Sequence, residues 1–324
     1  MLWLMNINHN QEGRRTMKNN NKQIRERIVS QVLELLDKGI NPWVKPWTSG
    51  GSLGDHNATS GHIYSGINIP VLAYSKEENG FTSNQWLTFN QAREHGGKII
   101  KGSKATKVIF VKKIQFDKKD ENGNIIYDEN GNKEKVPFSL LRETPIFNIE
   151  QTENVVLPKA EITRVEVAIA KEETMKTNKG VQWIDEVYKN LEVNQRFSNE
   201  TKAYYSSYED MIQLPHRSMF KTSSGYVATA LHELIHWSGH SSRMNRKLGN
   251  GFGSADYAYE ELIAETGSAM MNNKYGIQGE IENHASYIQS WIKVLKDDPQ
   301  KLFDASYQAQ QAMEYIEKNG IESL

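Results

Sequence analysis

The stretch from Tyr226 to Gly239, with His232-Glu233-Leu234-Ile235-His236 at its centre, decides how the chain is read. Ala228, Leu231 and Ile235 recur at helical spacing and lay an apolar stripe against a core, which leaves another face for the two histidines. Four residues apart, His232 and His236 project from one face about one turn, roughly 5.4 Å, from each other. Two imidazoles so placed can chelate one metal ion. Glu233 follows the first histidine and is rotated off that line, so its carboxylate misses the ion yet can hydrogen-bond a water bound to it.

A catalytic zinc takes three protein ligands and keeps one position open, and a carboxylate from a second helix is a common third ligand. The segment from Asp256 to Glu265 supplies it. Asp256 is the expected N-cap, and Glu261 and Glu265 share one helical face. Glu261 is the expected ligand. Glu265, one turn on, is placed to hydrogen-bond the distal nitrogen of His232 or His236 and fix its tautomer. Glu260 is the rival to Glu261 and reads as part of a solvated face. His240 lies two turns beyond His232, roughly 12 Å of rise if the helix persists, and cannot share its ion. Gly239 is the expected helix stop, and extending the motif to a third histidine would need one at position 242, where Ser242 stands.

With no cysteine among 324 residues, every metal hypothesis must use His, Asp and Glu, and disulfide or thiolate chemistry is excluded. Two imidazoles and a carboxylate suit Zn2+, whereas manganese or calcium usually takes more oxygen ligands. The chain is 38% hydrophobic and 24% charged, which reads as a soluble globular protein large enough for two domains. The apolar run Met1 to Met5 is too short for a signal peptide, and no stretch has the length of a membrane helix. A cytoplasmic location without a membrane partner is expected. Residues 1–21 read as a disordered N-terminal extension, with Met17 an alternative start.

The net charge of −1 conceals an asymmetry: residues 1–150 carry 21 Lys and Arg against 16 Asp and Glu, the remainder 18 against 24. The N-terminal half is therefore the candidate polyanion binder. Ile24, Ile28, Val32, Leu35 and Leu36 predict an amphipathic helix over 22–38, stopped by Gly39. Pro42-Trp43 and Pro46-Trp47 then turn the chain. Short strands and turns alternate through Tyr64 and Trp86, which makes an α+β domain of residues 22–150. Trp43, Trp47, Tyr64 and Trp86 are candidates for stacking on bases, with a core role for the rings as the alternative. Lys98, Lys101, Lys104 and Lys107 are candidates for phosphates, with a solvated hairpin edge as the alternative.

Residues 151–180 thin into charged sequence and suit a linker, and a second domain over 181–324 opens with a helix around Trp183 to Leu191. Asp210 to Leu214 reads as an edge strand ahead of the metal helix, placed to hold an extended peptide. Tyr205, His216, Tyr226 and His240 stand as alternatives for stabilising an oxyanion. Helices around Ile288 and Leu295, and around Leu302 and Ala312, read as scaffold.

Taken together, these motifs resemble the ArdC-type antirestriction proteins. The N-terminal half is similar to that family's single-stranded-DNA-binding domain through Pro42-Trp43, Pro46-Trp47, Tyr64 to Asn68, Trp86 to Gln91, Gly102 and Phe147 to Gln151. Its zincin-like metallopeptidase domain is resembled through Ala203 to Tyr205, Asp210 to Pro215, His232 to His240, Arg243 and Glu260 to Glu265. The resemblance implies a protein of plasmids and other conjugative elements that binds single-stranded DNA and shields entering DNA from host restriction. It also implies zinc-dependent peptide hydrolysis with Glu233 as general base, a host restriction or nuclease protein being the candidate substrate. The alternative is a non-proteolytic protector whose zinc site is structural or vestigial. Intact Glu233 favours the peptidase, because a carboxylate that neither ligates nor packs is otherwise dispensable.

Overall fold

The computed structural model describes residues 11–44, 54–121, 124–161, 164, 173–248, 254–277 and 285–322, so Trp47 lies outside the described residues. Helix α1 (Gln11–Asp37) starts well ahead of the apolar spacing. Its first turns, residues 11–21, correct the expectation of a structureless extension there; residues 1–10 lie outside the described residues. The polar sequence has no stripe of its own, and tertiary contacts hold it. Met17 is buried, and the Arg14 guanidinium lies 5.1 Å from the Phe116 ring centroid. Buried Asn21 donates to the Ser139 carbonyl at 2.7 Å and accepts from the Leu141 N–H at 3.0 Å. Gly39, at φ +75°, follows α1 in a conformation that strains an L side chain.

The expected α+β character holds in the first half. Strands β1 (His56–Asn57), β2 (Gln85–Leu87), β4 (Thr106–Asp117) and β5 (Lys135–Asn148) form a sheet in the order β1-β2-β5-β4. The first pair is parallel, the other two antiparallel. Helix α2 (Asn68–Asn79) packs against β4, and α1 against β5. Helix α3 (Phe89–Glu94) opens on a reciprocal cap between Thr88 and Gln91, and β3 (Lys98–Ile99) pairs with β6 (Thr152–Glu153). The first part of the expected 151–180 linker is thus built into the domain. Beyond β6, buried Glu161 meets His56 Nε2 at 2.5 Å and accepts from Gln85 Nε2 at 2.9 Å. Charged composition marks a linker only where the charges are solvated, and Glu161 is paired inside.

In the second half, α4 (Asn178–Asn190) leads into a three-stranded sheet of β7 (Asn194–Ser198), β8 (Tyr204–Ser206) and β9 (Met211–Pro215), ordered β7-β9-β8. The edge-strand reading of Asp210 to Leu214 is corrected. Strand β9 is central, parallel to β7 and antiparallel to β8, and all five of its residues are buried. An apolar run without alternation marks an inner strand. Helices α5 (Ser223–Ser238), α6 (Ala255–Tyr275), α7 (Ala285–Asp297) and α8 (Gln300–Ile316) complete the half. One apolar core joins the halves, running from Ile28, Val32 and Trp43 to Leu231 and Trp291. A smaller core of Tyr64, Leu72, Trp86, Val108 and Ile146 lies within the N-terminal half. No helix among the described residues is long and apolar enough to cross a membrane.

Candidate metal centre

Helix α5 opens on Thr222, whose hydroxyl oxygen accepts the Gly225 N–H at 3.0 Å, and runs to Ser238. Gly239 caps it in a right-handed conformation, so its missing side chain serves packing rather than a left-handed turn. A Cβ there would lie 2.5 Å from a Leu248 methyl and 2.8 Å from the Arg246 guanidinium. Helix α6 is capped by Ser254, which accepts the Tyr257 N–H at 3.1 Å. Asp256, the expected cap, sits in the first turn and pairs with Lys247 at 2.7 Å. The two helices meet closely at Gly267, where a Cβ would stand 2.9 Å from Ile235 Cδ1. That close approach carries the acidic face of α6 to the histidines of α5.

His232, His236 and Glu261 come together with one ligand atom from each inside a 4.8 Å circle. The His232 Nε2 to Glu261 Oε2 distance is 3.6 Å, and His236 Nε2 to Glu261 Oε1 is 3.5 Å. Four-coordinate zinc, with bonds near 2.1 Å, needs ligand atoms about 3.4 Å apart, so both histidine–glutamate spacings suit such an ion. Each ring turns its other nitrogen to a carboxylate. His232 Nδ1 lies 3.7 Å from Glu265 Oε2 and has no hydrogen-bond partner at that distance. His236 Nδ1 lies 3.3 Å from Glu260 Oε1. Glu260, expected on a solvated face, is 3% exposed. Its carboxylate accepts from Arg246 Nη2 at 2.7 Å and Nε at 3.1 Å, a pairing that offsets the cost of burying the charge. The sequence showed the glutamate but not the arginine that returns to it.

Electrostatics favour a cation at this point. Burial opposes a charged imidazole, yet Glu261, Glu233 and Glu265 hold the His232 pKa above its ordinary value. His236 is likewise raised, against its burial, by Glu261 and Glu260. Burial also raises Glu261, but His236, His232 and a hydrogen bond from Tyr257 overcome it and bring its pKa down. Glu233, buried among the same groups and outside the three-residue cluster, has its pKa pushed up chiefly by burial. The Tyr205 backbone N–H, beside the Glu233 carboxylate, opposes that rise.

The four oxyanion candidates each make other contacts. The Tyr205 hydroxyl donates to Asp210 at 2.7 Å and accepts from Arg243 at 3.2 Å. His216 stacks on Phe197, the Arg217 guanidinium lies 5.3 Å from the Tyr226 ring centroid, and His240 Nδ1 bonds Ser242 at 2.7 Å. Two tyrosines that sequence reasoning missed also stand at the site. Tyr257 bonds Glu261, and its hydroxyl is 3.2 Å from that of Tyr287. Tyr257 precedes Glu261 by four residues on the face that also carries Glu265, a spacing already visible in the sequence.

The predicted DNA contacts divide. Trp43, Tyr64 and Trp86 are 5%, 3% and 0% exposed, which corrects their assignment to base stacking. Their amphipathic rings serve the cores: the Trp86 indole N–H donates to Asp55 at 2.8 Å, and Trp43 meets Trp291 edge-on. Lys98, Lys101, Lys104 and Lys107 are exposed, with Lys98 paired to Glu153 at 2.9 Å and Lys107 to Glu143 at 3.0 Å.

Residues 182–308 match the family model of a zincin-like metallopeptidase, and residues 22–147 that of the N-terminal domain of anti-restriction factor ArdC. This is an ArdC-type chain. It is similar to the antirestriction protein ArdC of plasmid R388 in its metal-free crystal structure, with TM-score 0.69 and 29% identity over 92% of this chain and 98% of that one. The Mn(II)-bound structure gives TM-score 0.66 and 27% identity over 93% and 99%. A DNA primase TraC of Escherichia coli is 34% identical over 91% of this chain, which spans 27% of that protein's length. The uncharacterized protein y4eC of Sinorhizobium fredii is 29% identical over 90% of this chain and 91% of its own length. A zincin-like domain implies a divalent metal, and the His-His-Glu cluster lies within the matched residues.

Proposed function

We propose that this ArdC-type chain is a zinc-dependent peptidase with an antirestriction role whose N-terminal half binds single-stranded DNA. The position of Glu233 carries the hydrolytic reading: a buried carboxylate beside both imidazoles that is not one of the three ligands. A zinc ion bound there would supply Lewis acidity and water activation near neutral pH. His232 and His236 would hold it through Nε2, while Glu260 behind His236 fixes that ring's tautomer and Glu265 faces His232 Nδ1 at 3.7 Å. Glu233 takes the proton of the attacking water and returns it to the leaving amine, and its raised pKa suits both steps. Strand β8 is one of the two outer strands of its sheet, and it is the one whose Tyr205 backbone lies beside Glu233. An extended peptide therefore adds along β8 rather than β9. Tyr257 donates to Glu261, and Tyr287, whose hydroxyl lies 3.2 Å from that of Tyr257, supplies the hydroxyl for the developing oxyanion.

For the DNA, the buried aromatics give way to the outer face of the β4–β5 hairpin. Phe110 is 42% exposed, with its ring 6.1 Å from that of His62. Arg142 is its cross-strand partner, and Lys112 follows on the same face. An exposed ring among cations suits stacking on unpaired bases, and Lys101 and Lys104 remain assigned to phosphates.

Glu233→Gln tests the proposal, since it keeps the shape and the three ligands but removes the base. Cleavage of host restriction or nuclease proteins should fall by about 10² to 10⁴-fold. Undiminished protection of incoming DNA by this variant, with no proteolysis by the wild type, would leave a DNA-binding protector and overturn the peptidase.

A further inference from the structure

The turn that follows α1 belongs to the N-terminal half, yet one of its side chains touches the metal centre and another is linked to it through a chain of rings. Asn41 Nδ2 donates to Glu265 Oε1 at 2.8 Å, and Asn41 Oδ1 accepts the Trp43 N–H at 3.0 Å. A carboxylate accepts and a backbone N–H donates, so these two bonds fix which way the amide faces. Glu265 is 1% exposed, and its other oxygen is the one nearest His232 Nδ1. The second route is aromatic. Trp43 meets Trp291 edge-on at 5.5 Å, Trp291 stacks on Tyr287 at 6.1 Å, and the Tyr287 hydroxyl lies 3.2 Å from that of Tyr257. Tyr257 in turn bonds Glu261.

We infer that Asn41 and Trp43 are positioning residues of the metal centre, through which the N-terminal half sets the orientation of His232 and of Glu261. The inference rests on the metal-site reading given above. Packing two halves together asks only for apolar surface, which Trp43 and Trp291 already provide. An amide aimed at a buried carboxylate is a more specific demand, because an apolar side chain at position 41 would leave that oxygen without its donor. With one oxygen held by Asn41 Nδ2, the Glu265 carboxylate turns its other oxygen toward the His232 ring, 3.7 Å from Nδ1. Groups behind a metal-bound histidine commonly control affinity in this way. Coupling is reciprocal, so metal binding must also tighten the contact between the halves.

The test uses the full chain, with Zn2+ affinity measured by chelator competition and Co2+ substituted to read ligand geometry from its visible spectrum. Asn41→Ala and Asn41→Asp should each weaken Zn2+ binding about tenfold or more and shift the Co2+ bands, the aspartate more because it faces Glu265. Thermal unfolding in chelator separates general damage from positioning, since a purely structural role would lower the midpoint and leave the spectrum of folded protein unchanged. Should the Asn41 variants fail to fold, Tyr257→Phe, which removes one hydroxyl and keeps the ring, reads the second route by the same two measurements. Folded variants with wild-type affinity and spectrum overturn the inference while the metal site stands. A wild type that takes up no metal overturns the site itself.

Discussion

Replacing Arg246 by methionine should destabilise the metal-free protein by about 3–5 kcal/mol, the usual cost of stripping one partner from a buried ion pair. Both side chains of the Arg246–Glu260 pair are only 4% exposed, so little solvent screening reduces that figure. The guanidinium makes two bonds to Glu260, one to the Ile235 carbonyl at 2.6 Å and one to the Ser238 hydroxyl at 2.9 Å. Methionine keeps most of the stem volume, so the loss is one of charge and hydrogen bonds rather than of a cavity. At roughly 2–4 °C per kcal/mol for a domain of this size, the midpoint should fall by about 6–20 °C. Glu260→Gln alone should also destabilise, by leaving Arg246 buried without its counter-charge. The double variant should recover part of the loss, with a coupling of at least about 1 kcal/mol. Denaturation of the four proteins in chelator decides the matter. A loss below about 1 kcal/mol for Arg246→Met, or strictly additive losses in the double variant, would refute the argument.

Two further outcomes follow from the geometry. The Asp210 carboxylate is held below its ordinary pKa chiefly by Arg243, with the Tyr205 hydroxyl helping against burial. A lowered folded pKa gives stability that is present above the unfolded value, about 3.9, and lost as pH falls through the folded one. Asp210→Asn should therefore flatten the acid limb of the stability profile below about pH 4, and an unchanged limb in urea titrations across that range would count against it. On the hairpin, Phe110→Ala should weaken single-stranded DNA binding by roughly 1–3 kcal/mol, and Lys101→Ala should lower the salt slope by about 0.7. Anisotropy titrations with an oligonucleotide at several salt concentrations check both, and wild-type affinity in Phe110→Ala would move the stacking surface elsewhere.

The parts legible in the sequence were those carried by one element's own periodicity. The spacing of His232 and His236, the rotation of Glu233 off their line and the shared face of Glu261 and Glu265 all follow from 3.6 residues per turn. Tyr257 obeys the same rule and could have been read one turn further back. Glu260 could not, because its burial depends on Arg246, which returns from a loop beyond Gly239. Asn41 is 224 residues from Glu265, and no local pattern announces that contact. The tryptophans were ambiguous for another reason: a ring that can stack on a base is equally suited to a core, and composition does not say which face of a domain it meets.

The charge balance at the centre bears on whether the site is vestigial. Glu233, Glu260, Glu261 and Glu265 are all buried around two imidazoles, and one of the four, Glu260, is neutralised by Arg246. Apolar side chains of similar volume would usually stabilise a fold as well as such a cluster or better. A site kept only as scaffold has no use for a fourth carboxylate that ligates nothing, and Glu233 has its pKa raised by the burial it endures. A divalent ion changes that balance, since it supplies the cation toward which both histidine pKa values are already displaced. Binding to the folded state alone then adds stability in proportion to the logarithm of free metal over its dissociation constant. The same ion would both offset the buried acids and give the remaining carboxylate something to act on, and that is the physical ground for proposing hydrolysis over a purely structural site.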